Sequence, residues 1–406
     1  MTALLEVPLR PPGRARLPAL TSLRLFAAMM VVLLHLRGLK VMLGGPLWLQ
    51  KIASIGYVGV SFFFVLSGFI LVYTYAGHRF EPRLFWRARF ARIYPAYAFA
   101  LVFSAPFFVL AINTFPFFAW AAQHFVLACL LVIGLLQAWV PLAALSWSMV
   151  LWSLSVEAFF YFVFPFTLAR LTRWSHRQLF SVAASCWVAS LLLSSLYVWL
   201  QPDGSAAASD YATWLNVVKF NPLVRLPEFV LGMVAGLLFL RRRKGTKLAL
   251  PMVASAVAAI ILAAAFQNAI PFPILHTSLL APAFAAILYA IALEPRWSKF
   301  LNGRLLVLLG DASYSLYLLH VPIIIYFFYG TGQRRFANPL GLIVFFAIAL
   351  AISVLVYRFI EEPMRRRMNP RSAARAVLQL RTVASARIGS GGPDRSCGSS
   401  RTPHSC

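Results

Sequence analysis

The sequence predicts an all-α fold: a polytopic integral membrane helical bundle of about ten transmembrane helices, with one re-entrant or interfacial segment. Three observations carry that expectation. Hydrophobic residues make up 61% of the chain and charged residues only 12%, where a soluble domain is about 45–50% apolar and about 25% charged. Apolar runs of 18 or more residues recur from the N-terminus to about residue 361, and that is the length a helix needs to cross the hydrocarbon core. The basic residues, which give a net charge of +26, gather in short segments between those runs, as the positive-inside rule describes. That placement accounts for the charge without a nucleic-acid partner.

Apolar stretches fall near 19–37, 55–76, 93–112, 117–137, 149–169, 179–200, 223–240, 249–267, 275–293, 303–328 and 339–360. Charge tests the count. With Arg10, Arg14 and Arg16 inside, two spans return the basic segment 77–92 to the cytoplasm. The next basic segment, 170–177, must also be inside, so an even number of crossings separates the two. Three apolar stretches lie between them. One of 93–112 and 117–137 is therefore expected to be re-entrant, interfacial or part of a helix broken near Asn113–Pro116. Ten crossings then place RRRKGTK (241–247), EPRWSKFLNGR (294–304) and RRR (365–367) inside, with both termini cytoplasmic. Arg334 and Arg335 are the one breach of the rule.

Residues 1–18 are too rich in Pro and Arg for a cleavable signal and read as a basic cytoplasmic segment. The membrane domain is expected over 19–364. Residues 365–406 read as a basic, disordered cytoplasmic tail, since from about residue 369 Arg, Ser, Gly and Pro dominate and leave little apolar surface to bury. Cys129, Cys186, Cys397 and Cys406 form neither a disulfide framework nor a metal-ligand spacing. No metal is expected.

Ionisable groups inside spans cost several kcal/mol and mark functional sites by default. Arg24 begins the first span and His35 follows eleven residues later. That separation is roughly 16 Å of helix and about three turns, so both project from one face. An imidazole at mid-depth above a cytoplasmic arginine suits a site entered by an anion, although a structural histidine has the same signature. In GYVGVSFFFVLSGFILVY (56–73), Gly56, Gly59, Ser61, Ser67 and Gly68 are small positions for close helix contact. No G-x-S-x-G elbow marks a serine nucleophile there.

RARFARIYP places Arg87, Arg89 and Arg92 just before a span. Arg89 and Arg92 share one helix face and suit bidentate binding of phosphate or pyrophosphate; charge that merely sets topology would look the same. WSMVLWSLSVEAFFYFVFPF (147–166) carries Glu157 in an aromatic-rich span. A buried carboxylate must be paired, hydrogen-bonded or protonated, and His35 or an arginine is the expected partner. Ser155 and Tyr161 in the same block, with His320, are the candidates for acceptor contact. RLPEFVLGMVAG with Glu228, and LGDASYSLYLLHVP with Asp311, Ser313, Tyr314 and His320, are weaker signals.

In this order and spacing, these pieces resemble the membrane-bound acyltransferase 3 family, O-acyltransferases of polysaccharides and related acceptors. The resemblance runs from Leu23 to about Met364. It rests on Arg24-x10-His35, GYVGVSFFFVLSGF, Arg89-x-x-Arg92 before IYP, WSLSVEAFFY, RLPEFVLGM, SYSLYLLH and YRFIEEPMRR. It implies ten crossings and transfer of an acyl group, commonly acetyl, from cytoplasmic acyl-CoA to a hydroxyl of a glycan or lipid-linked saccharide. It carries functional roles to Arg24, His35, Arg89, Arg92 and Glu157. Ser61 departs from it, since the family often has an acidic residue there, and the tail to residue 406 is not expected to form the hydrolase-like domain that some members append.

The expected mechanism puts donor phosphates on Arg89 and Arg92, with His35 as general base. Glu157 would orient His35, and Arg24 would stabilise charge on the thioester oxygen. The rivals are a proton-coupled transporter using the same buried His, Arg and Glu, and an acyltransferase in which His320 is the essential histidine.

Overall fold

The computed structural model describes residues 15–41, 46–77, 81–115, 118–204, 212–242, 249–293, 299–329 and 338–367. Arg334, Arg335 and the tail beyond residue 367 lie outside them. Among the described residues eight helical segments are long and apolar enough to cross a membrane. They are α1 (Pro18–Gly38), α3 (Val58–Tyr75), α4 (Pro82–Ala111), α7 (Trp152–Leu171), α8 (His176–Leu200), α9 with α10 (Thr213–Phe220, Pro222–Arg241), α14 (Arg304–Phe328), and α15 continued through a π-turn and α16 (Pro339–Val356, Tyr357–Glu361, Glu362–Arg367). Two shorter apolar segments, α11 (Ala249–Ala265) and Ser278–Leu293, which includes α13 (Ala281–Leu293), are close to the minimum spanning length. The remaining helices, α2 (Leu47–Ser54), α5 (Ala119–Gln123), α6 (Phe125–Ile133) and α12 (Phe272–His276), are short connectors.

The ambiguity between 93–112 and 117–137 is resolved by helix continuity. Residues 93–112 lie almost entirely within α4, a 30-residue helix that opens with Pro82 in its first turn, where a missing N–H costs nothing. The second stretch is broken at His124 into helices of 5 and 9 residues. It leads into an irregular segment in which Leu135 and Trp147 adopt positive φ (57° and 77°). Non-helical backbone at membrane depth is tolerated only where protein covers it. Here Gln137 donates to the Leu151 carbonyl (2.9 Å). The Trp147 indole donates to Ser104 Oγ (3.0 Å) and stacks on Phe108 at 4.5 Å.

Small residues set the helix contacts, as lipid supplies no hydrophobic drive between helices. Gly68 of α3 and Gly232 of α10 sit so close to the opposite backbone that a Cβ on either would collide with Phe229 O or Val65 O. Gly310 of α14 meets the Thr21 carbonyl of α1 in the same way. The core behind these contacts joins Val32, Phe64, Phe160, Phe229 and Leu319. The outer surface stays apolar, with Leu110, Leu192 and Trp199 exposed, as a lipid-facing surface requires. α8 starts with a capping box in which Ser175 and Gln178 satisfy each other's backbone N–H groups.

Candidate functional site

α1, α3, α4, α7, α14 and α16 enclose a cavity of about 470 Å³, within the range of roughly 300–1,000 Å³ that holds small ligands. Five arginines line it (Arg24, Arg89, Arg92, Arg365 and Arg366) against two carboxylates, Glu157 and Asp311. Arg24 and Arg92 lie within electrostatic range of each other and of Glu157, Asp311 and Glu361. Glu361 is 1% exposed and accepts from Ser315 Oγ (3.2 Å). At the α16 end, Glu362 pairs with Arg365 and with Arg366 Nε (2.8 Å).

The i,i+3 spacing of Arg89 and Arg92 brings both into this cavity. Arg89 stands in an aromatic frame. Its guanidinium lies 5.7–5.8 Å from the rings of Phe85, Tyr75 and Tyr161, an arrangement that favours a desolvated cation. Nη2 lies 3.4 Å from the Tyr75 hydroxyl, while the buried Nε has no hydrogen-bond partner among the described residues. An unmatched donor in a basic cavity fits an anionic ligand such as a nucleotide phosphate.

Glu157 takes a different partner from the one the sequence suggests. Its Oε1 accepts from the hydroxyl of Tyr161, one turn on, and both side chains line the cavity. Ser155 is not brought to the cavity: it is buried on another face of α7, where its Oγ accepts from the Ala138 N–H (3.3 Å). Ser153 lines the cavity instead. Its hydroxyl lies 2.7 Å from that of Tyr317, which in turn donates to the Val150 carbonyl (3.2 Å).

His35 and His320 meet each other rather than the cavity. His320 Nε2 is 3.1 Å from His35 Nδ1, with ring centroids 5.0 Å apart. Neither is among the described lining residues. The pair stands one side-chain layer beyond the wall: the Tyr317 ring, which lines the cavity, is 6.0 Å from His320 and 5.9 Å from Phe63. Arg24 and His35 thus share a helix, but only Arg24 reaches the cavity.

Sequence reasoning missed Tyr317, Ser153, Arg365 and Arg366. Arginines beyond the last span read as topology charge, and nothing in YRFIEEPMRR signals that the π-turn at Tyr357–Glu361 and the α16 that follows it bring them back onto the cavity. Among the described residues no group of His, Cys, Asp and Glu could hold a metal ion.

A second charge cluster lies apart from the cavity. Arg225 and Glu228 are fully buried and paired at 3.1 Å. Arg225 also donates to the His276 carbonyl (2.8 Å) and to Ser61 Oγ (3.0 Å).

Comparison with known proteins completes the picture. The profile of the Acyltransferase domain family (acyltransferase 3) matches residues 17–358. Acyltransferase MdmB of Streptomyces mycarofaciens is 30% identical over 391 residues, covering 89% of this chain and 95% of that protein. O-acetyltransferase OatA of Staphylococcus aureus (strain NCTC 8325 / PS 47) is 27% identical over 373 residues, 86% of this chain but 57% of OatA. No solved structure matches. A family match over most of the chain, on a bundle of apolar helices with a polar interior, makes this protein an integral membrane enzyme, and the chain belongs to the acyltransferase 3 family.

Proposed function

We propose that the protein moves an acyl group, most simply acetyl, from cytoplasmic acyl-CoA to a hydroxyl of a glycan or lipid-linked saccharide. The observation that carries this is the arginine-lined cavity inside an apolar bundle. Five guanidiniums line it against two lining carboxylates, and Glu362 pairs only Arg365 and Arg366, an excess of positive charge that suits an anion. Arg89 and Arg92 hold donor phosphates, and Arg365 and Arg366 extend the same positive surface. The relative named as an O-acetyltransferase supports oxygen as the acceptor atom and acetyl as the group.

Acyl-CoA, when bound, supplies an activated thioester carbonyl. An acceptor hydroxyl is too weak an acid to attack it unaided. His35, one side-chain layer behind the cavity wall, therefore takes the proton of an acceptor hydroxyl that approaches from beyond that wall as the new C–O bond forms. The C–S bond breaks, and the proton held on His35 returns to the departing thiolate. Arg24, within the cavity but roughly 16 Å of helix from His35, adds to the positive charge that holds the donor phosphates. Glu157, held by Tyr161, steadies the arginines rather than His35. The basic segments between spans support a bacterial cytoplasmic membrane location with both termini inside.

The test supplies labelled acetyl-CoA to membranes carrying wild type, His35→Ala or Arg92→Gln and follows label into extracted glycans and lipids. Label in wild type, with none in His35→Ala and little in Arg92→Gln, is the expected result. A folded His35→Ala protein that acylates at the wild-type rate overturns the role of His35 and moves the base to His320. Absence of label with wild type overturns the donor.

A further inference from the structure

We infer that His320 is a positioning residue: its neutral imidazole accepts a hydrogen bond from His35 Nδ1–H and, together with the Val31 carbonyl, holds the His35 ring in place in the tautomer whose basic lone pair is on Nε2. This rests on His35 being the base of the proposed transfer.

Two backbone carbonyls decide the proton positions. A carbonyl oxygen only accepts, so a ring nitrogen beside one must carry hydrogen. His320 Nδ1 lies 3.2 Å from the Leu316 carbonyl, which puts its single proton on Nδ1 and leaves Nε2 as an acceptor. His35 Nδ1 lies 2.9 Å from the Val31 carbonyl, so it too is an N–H, and that hydrogen is shared with His320 Nε2 at 3.1 Å. A neutral imidazole has one N–H, so the lone pair of His35 is left on Nε2, on the opposite side of the ring from His320.

The packing of two helices builds the contact. α1 and α14 lie side by side. Gly310 meets the Thr21 carbonyl at one end, and His320 meets His35 at the other. The advance along both helices has the same sign, so they run in parallel. His320 is 0% exposed and its neighbours Leu316 and Leu319 are buried. It is therefore held against His35 and shielded from exchange with solvent.

Chemically, the pair is a base with an orienting acceptor. When His35 takes the acceptor's proton on Nε2 it becomes an imidazolium, and its Nδ1–H, now a stronger donor, bonds more tightly to His320 Nε2. His320 neither gains nor loses a proton in this step. Like His35, it stands outside the cavity lining, so its loss is expected to act on turnover more than on donor binding.

The geometry selects its own conservative variant. Glutamine places an amide oxygen near the position of Nε2, whereas leucine offers no acceptor. The experiment measures kcat and KM for acetyl-CoA with purified wild type, His320→Leu, His320→Gln and His35→Ala, with thermal unfolding as a check on folding. Expected are a kcat lowered about ten- to a hundredfold in His320→Leu, the size of effect seen when the hydrogen-bond partner of a metal-bound histidine is removed, KM within twofold of wild type, and most of the rate restored in His320→Gln. Wild-type kcat in His320→Leu, or His320→Gln as slow as His320→Leu, overturns the inference. If His320→Leu does not fold, the Gln variant alone decides: near wild-type rate upholds an acceptor role, and loss of rate refutes it. Failure of the base assignment reads differently, as an active His35→Ala.

Discussion

Arg225 and Arg92 are both arginines held inside the same bundle with acidic residues nearby, yet their surroundings are opposite. Arg225 is closed. Its guanidinium is paired with Glu228, donates to the His276 carbonyl and Ser61 hydroxyl, and lies 5.4 and 5.8 Å from the rings of Phe64 and Trp152. Arg92 is open. It lines a cavity with four other arginines, and among the described residues no salt bridge joins Arg24, Arg89 or Arg92 to a carboxylate. A buried cation is costly unless compensated. At Arg225 the compensation is a direct ion pair; at Arg92 it comes at longer range from Glu157, Asp311 and Glu361, and the proposed donor would add to it. The Ser61 position fits this contrast. Ser61 accepts from Arg225 as a neutral hydroxyl, and Glu228 provides the charge that Arg225 needs.

The contrast breaks first at Arg225. Arg225→Met strands Glu228 in a fully buried site and is expected to cost about 3–5 kcal/mol of stability, seen as a lowered unfolding temperature. The double variant Arg225→Met with Glu228→Leu removes both charges and should recover most of that loss, with turnover per folded molecule close to wild type. A double variant that folds but cannot turn over would make the cluster functional and erase the distinction.

A middle effect is expected in the cavity. Arg92→Gln should leave stability nearly unchanged and raise KM for acetyl-CoA about ten- to a hundredfold, from the loss of roughly 1.5–3 kcal/mol of charge-assisted hydrogen bonding. Arg92→Lys keeps the charge but not the fork, so it should recover only part of the loss. The smallest effect belongs to Glu362→Gln. Its pairs with Arg365 and Arg366 are partly exposed, with Arg366 75% accessible, so each is worth under about 1 kcal/mol. Freed arginines should lower the donor KM by no more than about fivefold, and a large rise instead would make Glu362 part of the binding surface.

Much of this architecture was legible in the sequence, for physical reasons that differ by element. Spans are long runs of one chemistry, so composition alone locates them. Arg89 and Arg92 share a face through local helical geometry, and the structure brings both to the cavity. The break at His124 was not legible, because 117–137 is as apolar as its neighbours and only packing around Trp147 and Gln137 sets its path. Glu157 found its partner one turn away in Tyr161, a local contact that the longer-range expectation passed over. The His35–His320 pair joins residues 285 positions apart, and no local pattern encodes it. Ser153 and Ser155 differ by two residues and hence by opposite helix faces, a choice that the helix's environment makes and its sequence does not announce.

The most direct test of the central claim is the affinity of purified protein for acetyl-CoA, measured by calorimetry for wild type, for Arg89→Gln with Arg92→Gln, and for Arg225→Met with Glu228→Leu. Binding that is lost in the first double variant and retained in the second is the predicted result. Equal affinity in all three, or loss only in the folded Arg225→Met, Glu228→Leu protein, would contradict it.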